Sequence, residues 1–247
     1  MPSSERRIGV VVPFDFALDR EYWRWVSDDV SLHITRTPPH FGPVGVALAR
    51  AVSETGEAAD AAKTIMEIEP HVIAYACTSG SFVDGLAHEA ELREAMAAAS
   101  PGAATVTTSG ALLEALRALG VRRVAIGTPY VSDLGRLLGD FVREAGFEPV
   151  SLAHLELTAA IADVAEDDVR HLAEAAHVPG AEALFLSCTN LRTFDALPAL
   201  EARYGIPVLS ANQVTIWAAL QAAGASLPSL PQRLFQLASP APKTMIA

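Results

Sequence analysis

Two short stretches hold the residues with chemical reach: Val72-Ile73-Ala74-Tyr75-Ala76-Cys77-Thr78-Ser79-Gly80 and Ala183-Leu184-Phe185-Leu186-Ser187-Cys188-Thr189-Asn190. They contain the only two cysteines of the chain. In each, an apolar run of strand length ends at a cysteine followed by hydroxyl or amide residues, the way a buried parallel strand hands over to a turn and a helix. A thiol at a helix N-terminus faces unpaired backbone N–H groups and the positive end of the helix dipole, and both favour the thiolate. A cysteine in an apolar strand is ordinarily a small core hydrophobe. Here that explanation has to account for the same placement twice.

Two thiols converging on one cleft suit chemistry on two faces of a carbon. One thiolate can remove a proton next to a carboxylate while the opposite thiol delivers one, inverting the centre. Alternatively, one thiolate adds to an activated alkene, and the other thiol protonates or supports the intermediate while the former double bond rotates. Either way negative charge builds on a carboxylate, and Thr78, Ser79, Tyr130, Thr189 and Asn190 are the candidates to receive it. His33, His71, His88, His154, His171 and His177 show no ligand spacing, whereas His40 lies in the loop Thr37-Pro38-Pro39-His40-Phe41-Gly42-Pro43, placed to cover a ligand. Asp15 reads as a cap for the first helix. With no glycine-rich phosphate loop, Cys-x-x-Cys pair or His-Glu-x-x-His motif, neither a nucleotide nor a metal is expected.

The elements that position these residues alternate. Strands are predicted at 7–13, 30–36, 72–77, 104–106, 123–128, 149–155, 183–187 and 207–209. Helices are predicted at 18–25, 44–68 with a break near Gly56, 82–98, 109–119, 132–145, 167–176, 192–204 and 211–223. The opening phrase Arg7-Ile8-Gly9-Val10-Val11-Val12-Pro13-Phe14 returns as Arg123-Val124-Ala125-Ile126-Gly127-Thr128-Pro129-Tyr130, offset by 116, while the cysteines are offset by 111. A third match, Leu116-Arg117-Ala118-Leu119-Gly120 with Leu220-Gln221-Ala222-Ala223-Gly224, is offset by 104. Matched landmarks in the same order indicate an internal duplication. The expected fold is α/β: two pseudo-twofold-related lobes with parallel sheets and the active site in the cleft between them. Residues 1–108 form the first lobe, completed by 210–228; residues 109–209 form the second; 229–247 is a proline-containing tail that is either poorly ordered or a strap across the surface.

Of 247 residues, 51% are apolar, enough for a sizeable core, and the net charge of −11 without a basic cluster excludes nucleic acid and anionic membrane as partners. Lysine occurs only at 63 and 243, so a bound anion would be held by backbone N–H groups, hydroxyls or arginine. The opening residues carry too short an apolar run for a secretory signal, and no run reaches the roughly 20 residues of a membrane span. Two cysteines in that setting are expected to be free thiols in a cytoplasmic, reducing compartment. Trp23, Trp25 and Trp217 are candidates for either core or a self-association surface, and a homo-oligomer is expected.

The segments Ile8–Pro13, Ala76–Ser81, Gly127–Tyr130, Leu186–Asn190 and Leu209–Trp217 together resemble the aspartate/glutamate racemase superfamily, and within it the maleate cis-trans isomerase and arylmalonate decarboxylase branch. The resemblance covers roughly residues 6–224. It implies a cofactor-independent isomerase of a small dicarboxylic acid, with Cys77 as nucleophile, Cys188 as the acid/base opposite, and Thr78, Ser79, Tyr130 and Thr189 binding carboxylate oxygens. Similar proteins include amino-acid racemases and decarboxylases; the latter keep only the second cysteine, so Cys77 counts against simple decarboxylation. Asparagines that contact substrate in the isomerases are replaced here by Phe16 and Thr158, which puts maleate itself in question and leaves room for a metabolite-binding protein without catalysis. The opening Val12-Pro13-Phe14-Asp15-Phe16-Ala17-Leu18-Asp19 is also similar to a subgroup tied to ectoine utilisation.

Overall fold

A computed structural model describes residues 5–237. Its first sheet holds β1 (Arg6–Val12), β2 (Val30–Arg36), β3 (Val72–Tyr75) and β4 (Ala104–Thr107) in the order β2-β1-β3-β4. The second holds β5 (Arg123–Thr128), β6 (Glu148–His154), β7 (Ala183–Leu186) and β8 (Val208–Ser210) in the order β6-β5-β7-β8, the same topology again. All pairings are parallel. The helices of the first half are α1 (Asp19–Tyr22), α2 (Val46–Val52), α3 (Thr55–Lys63), α4 (Thr78–Phe82), α5 (Gly85–Ala99) and α6 (Thr108–Ala118). Those of the second are α7 (Ser132–Glu144), α8 (Glu166–Ala176), α9 (Leu197–Tyr204) and α10 (Ala211–Ala222).

The central strands β3 and β7 are apolar and buried throughout, as helix-covered parallel strands must be. The edge strands β2 and β6 are only partly buried. Register carries the duplication down to single residues. Val11 of β1 pairs with Tyr75 of β3, and Gly127 of β5 pairs with Leu186 of β7. These pairs are offset by the same 116 and 111 residues as the sequence landmarks, so each cysteine leaves its sheet two residues past the last rung. In each sheet the chain crosses one way from the first central strand and returns on the other side of it, which opens a crevice at the carboxyl ends of β1/β3 and of β5/β7.

The two halves are tied along a seam. Helices α6 and α10 both follow a fourth strand and are capped alike, Thr107 and Ser210 accepting from the N–H of Gly110 and Gln213. They pack together, with Thr108 and Thr215 hydroxyls 2.8 Å apart, and α10 also lies on β3 and β4. Across the seam, the buried Glu21 carboxylate accepts from the Thr193 N–H and hydroxyl at 3.2 and 3.0 Å and from the Asn212 amide at 3.0 Å. Burial raises its pKa above the ordinary 4.5.

Several predicted elements differ in detail. The helix expected over 44–68 breaks at Ser53 rather than Gly56, because the Ser53 hydroxyl and N–H both turn back to the Arg50 carbonyl. The helix expected from 82 begins earlier, as α4, and restarts at Gly85, whose φ of +84° makes the kink. The helix expected over 192–204 forms only from Leu197, with Pro198, which has no N–H to bond back to the preceding turn, in its first turn. Asp15 caps nothing: the first helix starts after Leu18 with no side-chain cap. Trp25 and Trp217 are core, leaving only Trp23 half-exposed. Of the tail, Leu234 and Phe235 are buried, and Phe235 stacks on Trp25 at 5.4 Å, so this part is a strap; residues 238–247 lie outside the described residues. No helix among the described residues is long and apolar enough to cross a membrane.

Replacing Glu21 with alanine leaves the Thr193 N–H and the Asn212 amide unpaired in the seam and is expected to cost roughly 1–3 kcal/mol. Urea unfolding checks this; an unchanged midpoint would mean that the seam does not depend on this carboxylate.

Candidate active site

Both cysteines line one small chamber, with a volume of about 40 Å³, formed where the two crevices meet. The loop after β1 contributes Pro13, Phe14 and Asp15, and the turn after β3 contributes Cys77, Thr78 and Ser79. From the other lobe come Tyr130 after β5 and Cys188, Thr189 and Asn190 after β7. Every residue expected from the sequence to touch substrate therefore faces this chamber. Its remaining wall is apolar: Val44, and Leu48, Ala49 and Val52 of α2, with Ile161 from the loop after β6. No lysine, arginine or histidine is among the lining residues, so an anion here is held by neutral donors.

The two thiols are not equivalent. Cys77 caps α4, and its sulfur accepts from the Gly80 N–H at 3.4 Å with the Ser79 hydroxyl at 3.8 Å. A Cβ on Gly80 would stand 2.5 Å from the Tyr75 hydroxyl and 3.2 Å from the Cys77 sulfur, so glycine is what lets these groups gather. Cys188, against expectation, has no helix after it. The chain instead turns at Thr189 and Asn190, and Cys188 itself takes φ +90°, a strained value for a non-glycine residue that costs on the order of 1–3 kcal/mol. The Tyr130 hydroxyl and the Asn190 backbone N–H lie beside its sulfur.

The expectation of thiolates favoured by a helix end is also corrected. Desolvation dominates: burial pushes the Cys77 thiol up to about 11 and Cys188 up to about 12, against an ordinary 9.0. The Gly80 N–H and Ser79 hydroxyl pull Cys77 back only in part, as the Tyr130 hydroxyl and Asn190 N–H do for Cys188. A charge on Cys77 would also raise Cys188, and both feel Asp15. At neutral pH both thiols are protonated.

Among the hydroxyl groups, Thr78 Oγ1 is buried without a hydrogen-bond partner in the protein. Asn190 is differently engaged: its amide accepts from the Ala17 N–H at 2.9 Å and donates to the Asp15 carbonyl at 3.1 Å. It fixes the loop after β1 against the second lobe, leaving little of its amide for a ligand. Phe16 is buried against Tyr22, with ring centroids 4.9 Å apart, and is not among the residues lining this chamber. Its neighbour Asp15 faces the chamber instead, and burial raises the Asp15 carboxyl above its ordinary 3.8.

Sequence reasoning missed two contributors. Tyr75 stands two residues before Cys77 on the same strand, hence on the same side, and its hydroxyl bonds the Val52 carbonyl at the end of α2. It joins the sulfur's strand to the chamber's apolar wall, and the period of two was the available signal. The second is a roof. The loop after β2 and the loop after β6 meet where the Val44 N–H donates to the Thr158 carbonyl at 2.7 Å. Beneath them an outer chamber of about 270 Å³ adjoins the inner one, with Phe14, Asp15, Val44, Leu48, Ile161 and Asn190 common to both. Thr158 and His40 line this outer space, and His40 is 2.6 Å from Glu57. No cluster with the makings of a metal site occurs among the described residues.

Comparison with known proteins gives this geometry its context. The family model for arylmalonate decarboxylase matches residues 41–234. An arylmalonate decarboxylase from Bordetella bronchiseptica is 35% identical over 177 residues, 70% of this chain and 73% of that one. A maleate isomerase from Nocardia farcinica is 31% identical over 221 residues, 83% of this chain and 85% of that one. A solved structure of the Nocardia farcinica maleate cis-trans isomerase, a cysteine-to-serine variant with a covalently bound succinylcysteine intermediate, superposes with a TM-score of 0.80 at 26% identity, covering 95% of this chain and 99% of that one.

Because only the thiolate is alkylated, the raised pKa values make a directional expectation. The rate of modification of either cysteine by iodoacetamide climbs about tenfold per pH unit from 7 to 10 without levelling. Peptide mass spectrometry of each single-cysteine variant reads it; a plateau below pH 8 would contradict the dominance of desolvation.

Proposed function

The chain belongs to the arylmalonate decarboxylase family, and from that premise we propose that it is an isomerase of a small carboxylic acid, acting through Cys77 and Cys188 on opposite sides of the reacting carbon. The observation that carries this reading is that two topologically equivalent strands, one from each half, deliver their cysteines into the same small chamber. Its relatives are enzymes, both maleate isomerases and an arylmalonate decarboxylase.

For an alkene substrate the steps run as follows. The Cys77 sulfur, once deprotonated, forms a C–S bond to one alkene carbon, and the π electrons move into the adjoining carboxylate as an enediolate. The Cys188 thiol gives its proton to the neighbouring carbon, leaving a saturated thioether whose central bond rotates freely. The Cys188 thiolate then takes a proton back, the C–S bond breaks and the trans alkene leaves. The covalent succinylcysteine in the Nocardia farcinica enzyme is a thioether of this kind. For a substrate with a stereocentre next to its carboxylate, the same pair inverts that centre, one sulfur removing the proton and the other delivering one to the opposite face.

The enediolate's charge falls to neutral donors, the Thr78, Ser79 and Thr189 hydroxyls and the Tyr130 hydroxyl. Tyr130 also lies beside Cys188, so it serves the oxyanion and the acid/base together. The energetic problem is forming the first thiolate in a chamber without a cation. The proton has to leave before or as substrate enters, and kcat/KM therefore rises with pH above neutrality.

Decarboxylation is the second reading, favoured by the family match itself: the departing CO₂ leaves an enediolate that Cys188 protonates, with no requirement for Cys77.

Substrates from both classes, maleate and an α-aryl malonate, assayed in deuterated water with wild type, Cys77→Ala and Cys188→Ala, separate these. Isomerisation lost roughly 10²–10⁴-fold in both variants is the expected outcome. Turnover of the malonate that survives Cys77→Ala but not Cys188→Ala would replace isomerisation by decarboxylation, and turnover untouched by either substitution would remove the two-thiol mechanism.

A further inference from the structure

The inner chamber, with a volume of about 40 Å³, is the smaller of the two. The outer chamber, at about 270 Å³, is several times larger and shares Phe14 and Asp15 with the inner one. A substrate that used only the inner chamber would leave this space and its unusual lining without a purpose.

That lining selects by charge. Asp15 stands on the wall common to both chambers, and among the described residues no ion pair neutralises it. The one basic residue on the outer wall, His40, is held at 2.6 Å by Glu57, so the pair contributes no net positive charge in either protonation state. The rings of Phe14 and Phe41 lie 6.4 Å apart at 57°, and both line the outer chamber. Phe41 is 91% exposed, one of only two large apolar side chains so placed among the described residues. A carboxylate beside two aromatic faces is an arrangement that attracts an alkylammonium and repels a second carboxylate. A cation there would also relieve the partial desolvation of Asp15.

We propose that the outer chamber is a subsite for an ammonium group, lodged between the Asp15 carboxylate and the Phe14 and Phe41 rings, so that an amino-acid-type molecule is preferred over a dicarboxylate. Its carboxylate and reacting carbon occupy the inner chamber between the thiols, and its amino end reaches outward under the roof. This rests on the function proposed above for the inner chamber, and it gives Phe41 a role: its exposed ring is covered when the ligand arrives.

Protection of the thiols tests it without turnover. At about pH 9, where an alkylammonium is still charged, iodoacetamide labelling of the full chain is measured against rising 5-aminopentanoate, pentanoate or glutarate. In wild type 5-aminopentanoate protects at a concentration about tenfold below the other two. In Asp15→Asn, which keeps the side chain's shape, 5-aminopentanoate and pentanoate protect equally within about twofold. Phe41→Ala, which removes an exposed side chain outside the core, narrows the gap several-fold. Protection by all three without an ammonium preference, or a preference intact in Asp15→Asn, would overturn the subsite and leave the two-thiol reading standing. Failure of every carboxylate to protect would remove both.

Discussion

Where a parallel sheet changes winding direction, two neighbouring strands send their crossovers to opposite sides, and the crevice left at their carboxyl ends cannot be filled by either. This chain has two such crevices and turns them toward each other. All else at the candidate site follows from that: β1 and β5 supply the aromatic and acidic loops, β3 and β7 supply the thiols, and the loops after β2 and β6 close the top. Because the register repeats with the sequence offsets, neither sulfur can shift by one position without carrying its strand out of line.

Facing the crevices together gives proximity but removes water, and the two consequences oppose each other. A dry chamber strengthens hydrogen bonds to a forming enediolate. It also keeps both thiols neutral, with Cys188 pushed further than Cys77. The asymmetry has a local origin. Each sulfur receives a backbone N–H, but Cys77 caps a short helix with a serine hydroxyl near it, whereas Cys188 sits at a strained φ with a tyrosine hydroxyl beside it. The halves repeat in topology while their two thiols differ in environment.

The sequence made the strand ends legible because an apolar run stopped by cysteine and hydroxyl residues has few other meanings, and its recurrence at Cys188 removed most of the rest. Tyr130 was legible through the repeated strand-proline-aromatic phrase. What followed each strand was harder. The turn after Cys188 looks helical by composition, but Cys188 takes φ +90° and the helix forms only from Leu197, with Pro198 in its first turn. Asp15 has the look of a cap residue, and only the buried packing of Phe16 on Tyr22 turns Asp15 to the cavity. Likewise, the apolar wall formed by α2 depends on a break at Ser53 that local propensity puts three residues later. Long-range packing placed Asp15, and a window of sequence does not contain it.

The claim beneath all of this is that one small chamber holds both sulfurs. Intact-mass counting of carboxamidomethyl groups after exhaustive iodoacetamide treatment of the folded protein measures it directly, with Cys77→Ala and Cys188→Ala alongside. A shared chamber of about 40 Å³ accepts one group in each of the three proteins, since the first adduct fills the space before the second sulfur. Two groups on the wild-type chain, with one on each variant, would mean that the thiols occupy separate sites.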